Sequence, residues 1–311
     1  MNRQQKPNQG GVSIWLWRLA VMALALLGPA LLATTASAKI NIVASIPDLG
    51  SIASAVGGDE VQVDYIARAN MDVHRVEVLP SYMVRVSKAK LYLKVGLGLD
   101  QWADLIIDGS HNGKLKIVDC SQDINALEKP SGRVDASMGD IHPYGNPHYW
   151  LDPRNGGIVA HTIAQALGEA DPTHREDYLK RADDFDKQCQ GAADRGKKEV
   201  ADSQIKEIIT YHRSWTYLAD AFGLKIAGEV EPLPGIPPTG KHLQELVTVI
   251  EQHKVPLLIE EPYFSDDAGN FLKRQTGLQV AKLSPSCKDV TPGSYLAHFE
   301  EILTAIKVAK A

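Results

Sequence analysis

The chain has 311 residues, 33 basic and 38 acidic, for a net charge of −5. With 44% hydrophobic and 23% charged residues its composition is that of a globular protein, not a disordered one. No basic block is present, which excludes an electrostatic surface for nucleic acid or anionic lipid.

The first 38 residues differ from the rest. They contain Arg3, Lys6 and Arg18 and no acid, are almost wholly apolar from Leu19 to Ala33, and end on Ala36-Ser37-Ala38. A basic start, an apolar run of roughly 15 residues and a small-x-small end describe a secretory signal cleaved after Ala38. The run is shorter than the ~20 residues of a membrane span. Cleavage leaves 273 residues, and loss of three basic side chains takes the net charge to −8. No second long apolar stretch follows, so the mature chain is not expected to insert in a membrane. Cys120, Cys189 and Cys287 permit one disulfide and leave an odd thiol. None stands at the cleavage point, which closes the acyl-anchored route.

From Lys39 onward, strands and helices alternate. Lys39–Ser45 is β-branched and alternating, and a helix follows from about Leu49 to Val56. A second strand covers Val61–Ala67, and a polar loop, Arg68–Arg75, carries Asp72 and His74. Pro80-Ser81 opens a helix through Lys88, Leu91–Val95 is a third strand, Trp102–Ile107 a helix and Lys116–Asp119 a fourth strand. Such alternation predicts a parallel sheet covered on both faces. Residues 128–147 break the rhythm with a Gly-, Pro- and Asp-rich loop. Pro153 then opens helical sequence to about Ala201, broken once at Asp171-Pro172. Its second piece, from Thr173, is mostly charged and about 44 Å long at 1.5 Å per residue, a spine along or between lobes.

A second alternating set starts at Glu207–Tyr211, a strand ending at His212. A helix covers Ser214–Phe222, Leu224–Ala227 is a strand, and Glu231–Gly240 a loop. Helix Lys241–Gln252, strand Pro256–Ile259, helix Asp266–Thr276, strand Gln279–Leu283 and a helix from about Ser294 complete the chain. The expected architecture is two parallel-sheet α/β lobes joined by a long rigid backbone helix. Its segments are a signal peptide (1–38), an N-terminal lobe (39–152), a helical segment (153–202) and a C-terminal lobe (203–311).

Ligands of open α/β sheets bind at the carboxyl ends of the strands. His74, His148, His212, Glu260, Glu261 and Ser284 fall at or near such ends. Three imidazoles and a carboxylate drawn from both lobes would suit tetrahedral Zn²⁺. Dispersed histidines are also common as solvated or hydrogen-bonded residues, and Glu260-Glu261 would equally serve as a helix-capping pair.

The surrounding motifs decide between these. Met71-Asp-Val-His74-Arg-Val-Glu-Val-Leu-Pro80-Ser81, Gly96-Leu-Gly-Leu-Asp-Gln-Trp102 and Asn146-Pro-His148-Tyr-Trp-Leu-Asp152-Pro153 resemble one family closely. His212-Arg-Ser-Trp-Thr-Tyr-Leu-Ala-Asp-Ala-Phe-Gly223, Glu260-Glu261-Pro-Tyr-Phe and Thr276-Gly-Leu-Gln-Val-Ala continue the match in order. That family is the zinc/manganese solute-binding proteins of ABC importers, the cluster A-I group. The resemblance covers residues 39–311 and implies one metal held in the cleft between two lobes.

Carried over, His74 and His148 match the first two ligands and His212 the third. Histidine at the third place implies zinc and makes Mn²⁺ the less suited ion, since imidazole suits Zn²⁺ and hard oxygen Mn²⁺. The pattern breaks at the fourth ligand, where many relatives place an Asp and this chain has Ser284. Glu261, Glu260, Glu231, Asp289 or a water are the alternatives, and Glu261 is chosen because it ends an adjacent strand. Many zinc-specific relatives carry a His-rich run before the second ligand. Here that loop offers only His142, with Asp135 and Asp140, and at most a weak accessory site is expected.

The implied activity is capture of Zn²⁺ in a periplasm and delivery, as a monomer, to a membrane permease powered by an ATPase. One rival is a secreted zinc hydrolase with Glu261 as general base, since three histidines and a water also form a catalytic arrangement; no H-E-x-x-H or G-x-S-x-G motif supports it. Manganese-selective and adhesin-like members of the same fold are the others.

Overall fold

The computed structural model describes residues 1–5, 38–132, 134–135 and 138–309. The signal-peptide reading falls on residues 6–37, outside the described part. The compact unit begins at Lys39. Among the described residues, no helix is long and apolar enough to cross a membrane.

The alternating pattern folds as two four-stranded parallel sheets. The first contains β1 (Ile40–Ala44), β2 (Val61–Tyr65), β3 (Leu91–Lys94) and β4 (Lys116–Asp119), in the order β2-β1-β3-β4. The second contains β5 (Glu207–Thr210), β6 (Lys225–Glu229), β7 (Leu257–Glu260) and β8 (Gln279–Lys282), in the order β6-β5-β7-β8. The same order recurs, so each sheet has a switch point beside its first strand, where the chain turns from one edge to the other and leaves a crevice.

Crossovers run through helices α1 (Pro47–Gly57), α2 (Pro80–Val86) and α3 (Trp102–Gly109) in the first half. In the second they are α6 (Thr216–Phe222), α7 (Gly240–His253) and α8 (Asp267–Thr276). Proline at the first turn starts α1 and α2, where a missing N–H costs nothing. The spine is a helical pair, α4 (Pro153–Ala170) and α5 (Arg175–Ser203). Asp152 caps α4 by accepting the Arg154 N–H, and Asp171-Pro172 forces the break between them.

The anticipated boundary at residue 203 is not a boundary in packing. One continuous apolar core takes in Leu93 of β3, Trp150, Phe185 of α5, Trp215, Leu257 of β7 and Phe299 of the last helix, α9 (Ser294–Val308). After β8 the chain crosses back onto the first half. Trp150 Nε1 donates to the Pro285 carbonyl (2.7 Å), Ser51 Oγ donates to the Thr291 carbonyl (2.6 Å) and Tyr295 N–H to Ser51 Oγ (2.9 Å). The Tyr295 hydroxyl donates to the Trp150 carbonyl (2.7 Å). The physical reason is burial: the apolar face of α9 (Tyr295, Phe299, Ile302, Leu303, Ile306) needs cover that β8, an edge strand, does not supply. A smaller core, including Ile209, Val230, Leu246, Leu258 and Leu272, belongs to the second sheet alone. All three cysteines are buried free thiols, so no disulfide joins these parts.

The return crossing buries one carboxyl. Asp48, in the first turn of α1, accepts the Cys287 N–H at 3.1 Å through Oδ1, while Oδ2 has no partner. Burial pushes its pKa from 3.8 up to about 7, only partly offset by hydrogen bonds from Cys287 and Ser286. A carboxyl with a raised folded-state pKa contributes stability that is complete below its unfolded value and is lost as pH rises through 7. Asp48→Asn therefore should gain stability relative to the wild type between pH 4 and pH 8, by up to about 4 kcal/mol. Thermal denaturation of both proteins across that range checks this; parallel curves would refute it.

Candidate metal centre

His74, His148 and His212 converge. One ring nitrogen from each lies within 4.8 Å of the others, the only such grouping among the described residues. Ring centroids stand 5.1 Å apart for His74–His148 and His74–His212, and 5.5 Å for His148–His212. His148 and His212 are buried and His74 is half-buried.

Each ring is held through Nδ1. His74 sits in the turn after β2, which is pinned by Trp102 Nε1 donating to the Val73 carbonyl (2.9 Å). Asp72 Oδ1 accepts both the backbone N–H and Nδ1–H of His74, each at 2.9 Å. Burial raises the Asp72 pKa, but the His74 hydrogen bonds and charge outweigh it and hold the carboxyl below its usual value. The motif Asp-x-His is thus a local clamp that spends no long-range contact.

His148 repeats the device with an amide. Asn146 Oδ1 accepts the His148 backbone N–H (3.0 Å) and its Nδ1–H (2.9 Å). An atom that accepts a backbone N–H is the amide oxygen, so Nδ1 carries the proton and Nε2 is bare. The Asn146 Nδ2 donates to Glu128 Oε2 (2.8 Å) and to the Arg213 carbonyl (2.9 Å), and the Tyr217 hydroxyl donates to the Asn146 carbonyl (2.7 Å). The clamp on His148 is therefore itself tied to the second half. Burial, then the charges of His74, His212 and His142, push the His148 pKa well down, so the ring is neutral.

His212 leaves the end of β5. Its Nδ1 pairs with Glu231 Oε2 at 2.7 Å, and the same oxygen accepts the Gly235 N–H at 2.9 Å. The β5–β6 register slips between Ile208 and Ile209, a bulge just before Glu229 and Glu231. A bulge re-aims the chain that follows it; Glu229 then pairs with Arg213 (2.9 Å) and Glu231 with His212. Burial lowers the His212 pKa, but Glu231 with Glu261 and Asp72 outweighs it and holds the ring above 6.5.

The Nε2 atoms of His74 and His148 are buried without a partner. A buried lone pair with no donor is a cost that a bound cation removes. A cavity of about 170 Å³ lined by Asp72, His74, His212, Glu231 and Phe264 opens beside them, walled by the stacked Tyr211 and Phe264 rings (centroids 4.1 Å apart).

Glu261 Oε1 accepts from Ser214 Oγ (2.8 Å) and Trp215 Nε1 (3.0 Å), while its Oε2 is buried without a partner; Glu261 is not in the histidine group. Its pKa is raised to about 7, by burial first. Glu260 is fully buried and faces Lys282 at 3.4 Å. Ser284 Oγ donates to the Ala69 and Ser286 carbonyls, and Asp289 accepts from the Thr291 N–H (3.0 Å) and the Ser294 hydroxyl ahead of α9. Glu231 serves as the partner of His212 Nδ1. His142, expected from the sequence to offer at most a weak accessory site, stands beside the group: its ring centroid is 5.4 Å from that of His74, and its Nε2 is also buried and unpartnered. No motif surrounds it, and only proximity places it there.

A family model described as "ZnuA: Zinc-uptake complex component A periplasmic" matches residues 42–309. The chain belongs to this family. Its members are metal-binding solute-binding proteins, not enzymes. The zinc-binding lipoprotein AdcA of Streptococcus pneumoniae serotype 4 is 23% identical over 280 residues, 88% of this chain. The chain spans only 56% of that relative's length. The iron-binding protein YfeA of Yersinia pestis is 26% identical over 251 residues, covering 78% of this chain and 75% of the relative. Among solved structures, a zinc-bound ZnuA lacking residues 138–173 of its own chain superposes with a TM-score of 0.76 at 26% identity, covering 88% of this chain and 98% of that one. Two parallel-sheet α/β lobes are thus the family architecture as well as the observed one.

The Nδ1 clamps make a spectroscopic prediction. Long-range ¹H–¹⁵N spectra of the metal-free protein at pH 8 should show His148 protonated on Nδ1 with a bare Nε2. In Asn146→Ala that signal should become a tautomer mixture, and the protein should lose about 1–3 kcal/mol by denaturation, the cost of leaving buried polar partners unsatisfied. An Nε2-protonated His148 in the wild type would overturn the clamp.

Proposed function

We propose that this protein captures Zn²⁺ in the periplasm, through His74, His148 and His212, and hands it to the permease of an ABC importer powered by an ATPase. The observation that carries this is the convergence of three imidazoles, each held through Nδ1 by its own acceptor, with the Nε2 atoms of His74 and His148 buried and unpartnered. Zn²⁺ bonds imidazole at about 2.0–2.1 Å, so tetrahedral nitrogens stand roughly 3.4 Å apart. Small side-chain rotations close the present grouping to that spacing. Two of the three acceptors, Asp72 and Glu231, are carboxylates, so their charge balances a divalent ion through the rings they hold.

Relatives named for zinc and for iron share the fold, and the donor set supports zinc. Imidazole is a borderline ligand that favours Zn²⁺ over Mn²⁺, and among the described residues no carboxylate oxygen joins the converging nitrogens. Calorimetry with Zn²⁺, Fe²⁺ and Mn²⁺ should show one-to-one binding, tightest for Zn²⁺ and weakest for Mn²⁺. His74→Ala, His148→Ala and His212→Ala should each weaken Zn²⁺ by more than the roughly 10–100-fold that loss of a supporting partner costs. Unchanged Zn²⁺ affinity in the triple variant, or tighter binding of Mn²⁺, would overturn the reading.

Metal binding displaces protons from ligands that carry them. His212 holds its proton to a pH above 6.5, so Zn²⁺ affinity should fall as pH drops through neutrality, with proton release seen as a buffer-dependent binding enthalpy. A flat affinity from pH 8 to pH 6 would contradict this.

A further inference from the structure

We propose that His142 is the fourth nitrogen donor of this site, carried to it on a clasp between the two halves and standing in for the carboxylate that Ser284 does not supply. The proposal rests on the metal-binding reading above.

The ring of His142 lies 5.4 Å from that of His74, tilted by 33°, and shares a second small cavity with His148, His212 and Asn146. Its Nε2 is buried and unpartnered, as are those of His74 and His148. The Gly98 backbone lies on the Nδ1 side of the ring, so the unpartnered Nε2 is the nitrogen left for a cation.

Tetrahedral Zn²⁺ takes four donors, and three are present. Asp72 and Glu231 each hold a ring Nδ1, and the Ser284 hydroxyl is bound to backbone carbonyls. Glu261 keeps a buried Oε2 without a partner and is the rival fourth donor; the count of bound imidazoles separates the two.

The segment that carries it is anchored across the cleft. Asp140 N–H donates to the Pro234 carbonyl (2.8 Å), and Arg75 approaches Asp140 Oδ2 at 3.4 Å. Gly139 and Gly235 both have φ of +75°, and a Cβ on either would collide, with the Pro234 carbonyl oxygen and with the Asp140 carboxylate respectively. Glycine on both sides is what allows the two backbones to meet. Gly235 N–H also holds Glu231, the partner of His212. The clasp thus links His142 of the first half to the clamp on His212 of the second. A metal bound to both would tighten it, and release would require it to part.

X-ray absorption of the stoichiometric Zn²⁺ complex counts bound imidazoles, and calorimetry gives affinity. The wild type should show four imidazoles. His142→Ala should show three, with one-to-one binding retained and affinity about 10–100-fold weaker. Gly139→Val, which keeps His142 but obstructs the clasp, should weaken binding in the same direction; circular dichroism of the metal-free variants confirms that they fold. Three imidazoles in the wild type with unchanged affinity in His142→Ala would overturn this proposal and leave the three-histidine site standing. A wild type that binds no Zn²⁺ would overturn both.

Discussion

An imidazole has two nitrogens, and a site built from several of them works only if every ring presents a bare one to the centre. Here the far nitrogen of each histidine is pinned: His74 by Asp72, His148 by Asn146 and His212 by Glu231. Two of these acceptors lie two residues before their histidine and also take its backbone N–H, so ring and chain are fixed together. The third comes from the neighbouring strand's end, after a bulge that turns it inward. Loss of tautomeric control would leave three protonated nitrogens pointing at one another, and the cavity would repel a cation. The rest of the molecule can be understood as the frame that brings these three clamps together.

That frame is stiffer than two lobes on a hinge. The core runs without interruption from the first sheet through the helical pair to the second sheet, and α9 returns from the second half to close over α1 and α5. Trp150, two residues beyond His148, donates its indole N–H to the segment after β8, and Tyr217 of the second half binds the carbonyl of Asn146. A wide opening would break these bonds and expose apolar surface at roughly 25 cal/mol for each Å². Small displacements of loops and side chains cost far less, so the cleft responds locally.

The parallel sheets, the break at Asp171-Pro172, the long polar helix and the three histidines were all legible in the sequence. Periodicity and proline placement act over a few residues, and the His74, His148 and His212 motifs follow strand ends or a helix start. Glu261 was read from its position after β7, but strand-end position does not say which neighbours a buried carboxylate finds, and it finds Ser214 and Trp215. The disulfide permitted by three cysteines is not formed, because all three side chains are dispersed in the core. The last helix was grouped with the sheet that precedes it, since sequence shows that a helix has an apolar face and not which surface covers it.

The sequence by itself determined the classes of element, their order, the family and which three histidines converge, because each is written in local pattern or motif. Only the tertiary structure decided that Glu231 holds His212, that Asn146 is tied to the second half, and that His142 stands beside His74. These are matters of contact between residues far apart in the chain: 65 positions separate Arg75 from Asp140, and 70 separate Asn146 from Thr216. No spacing rule reaches across such distances, and the chemistry of a metal site is settled at the last ångström, where hydrogen-bond partners are chosen.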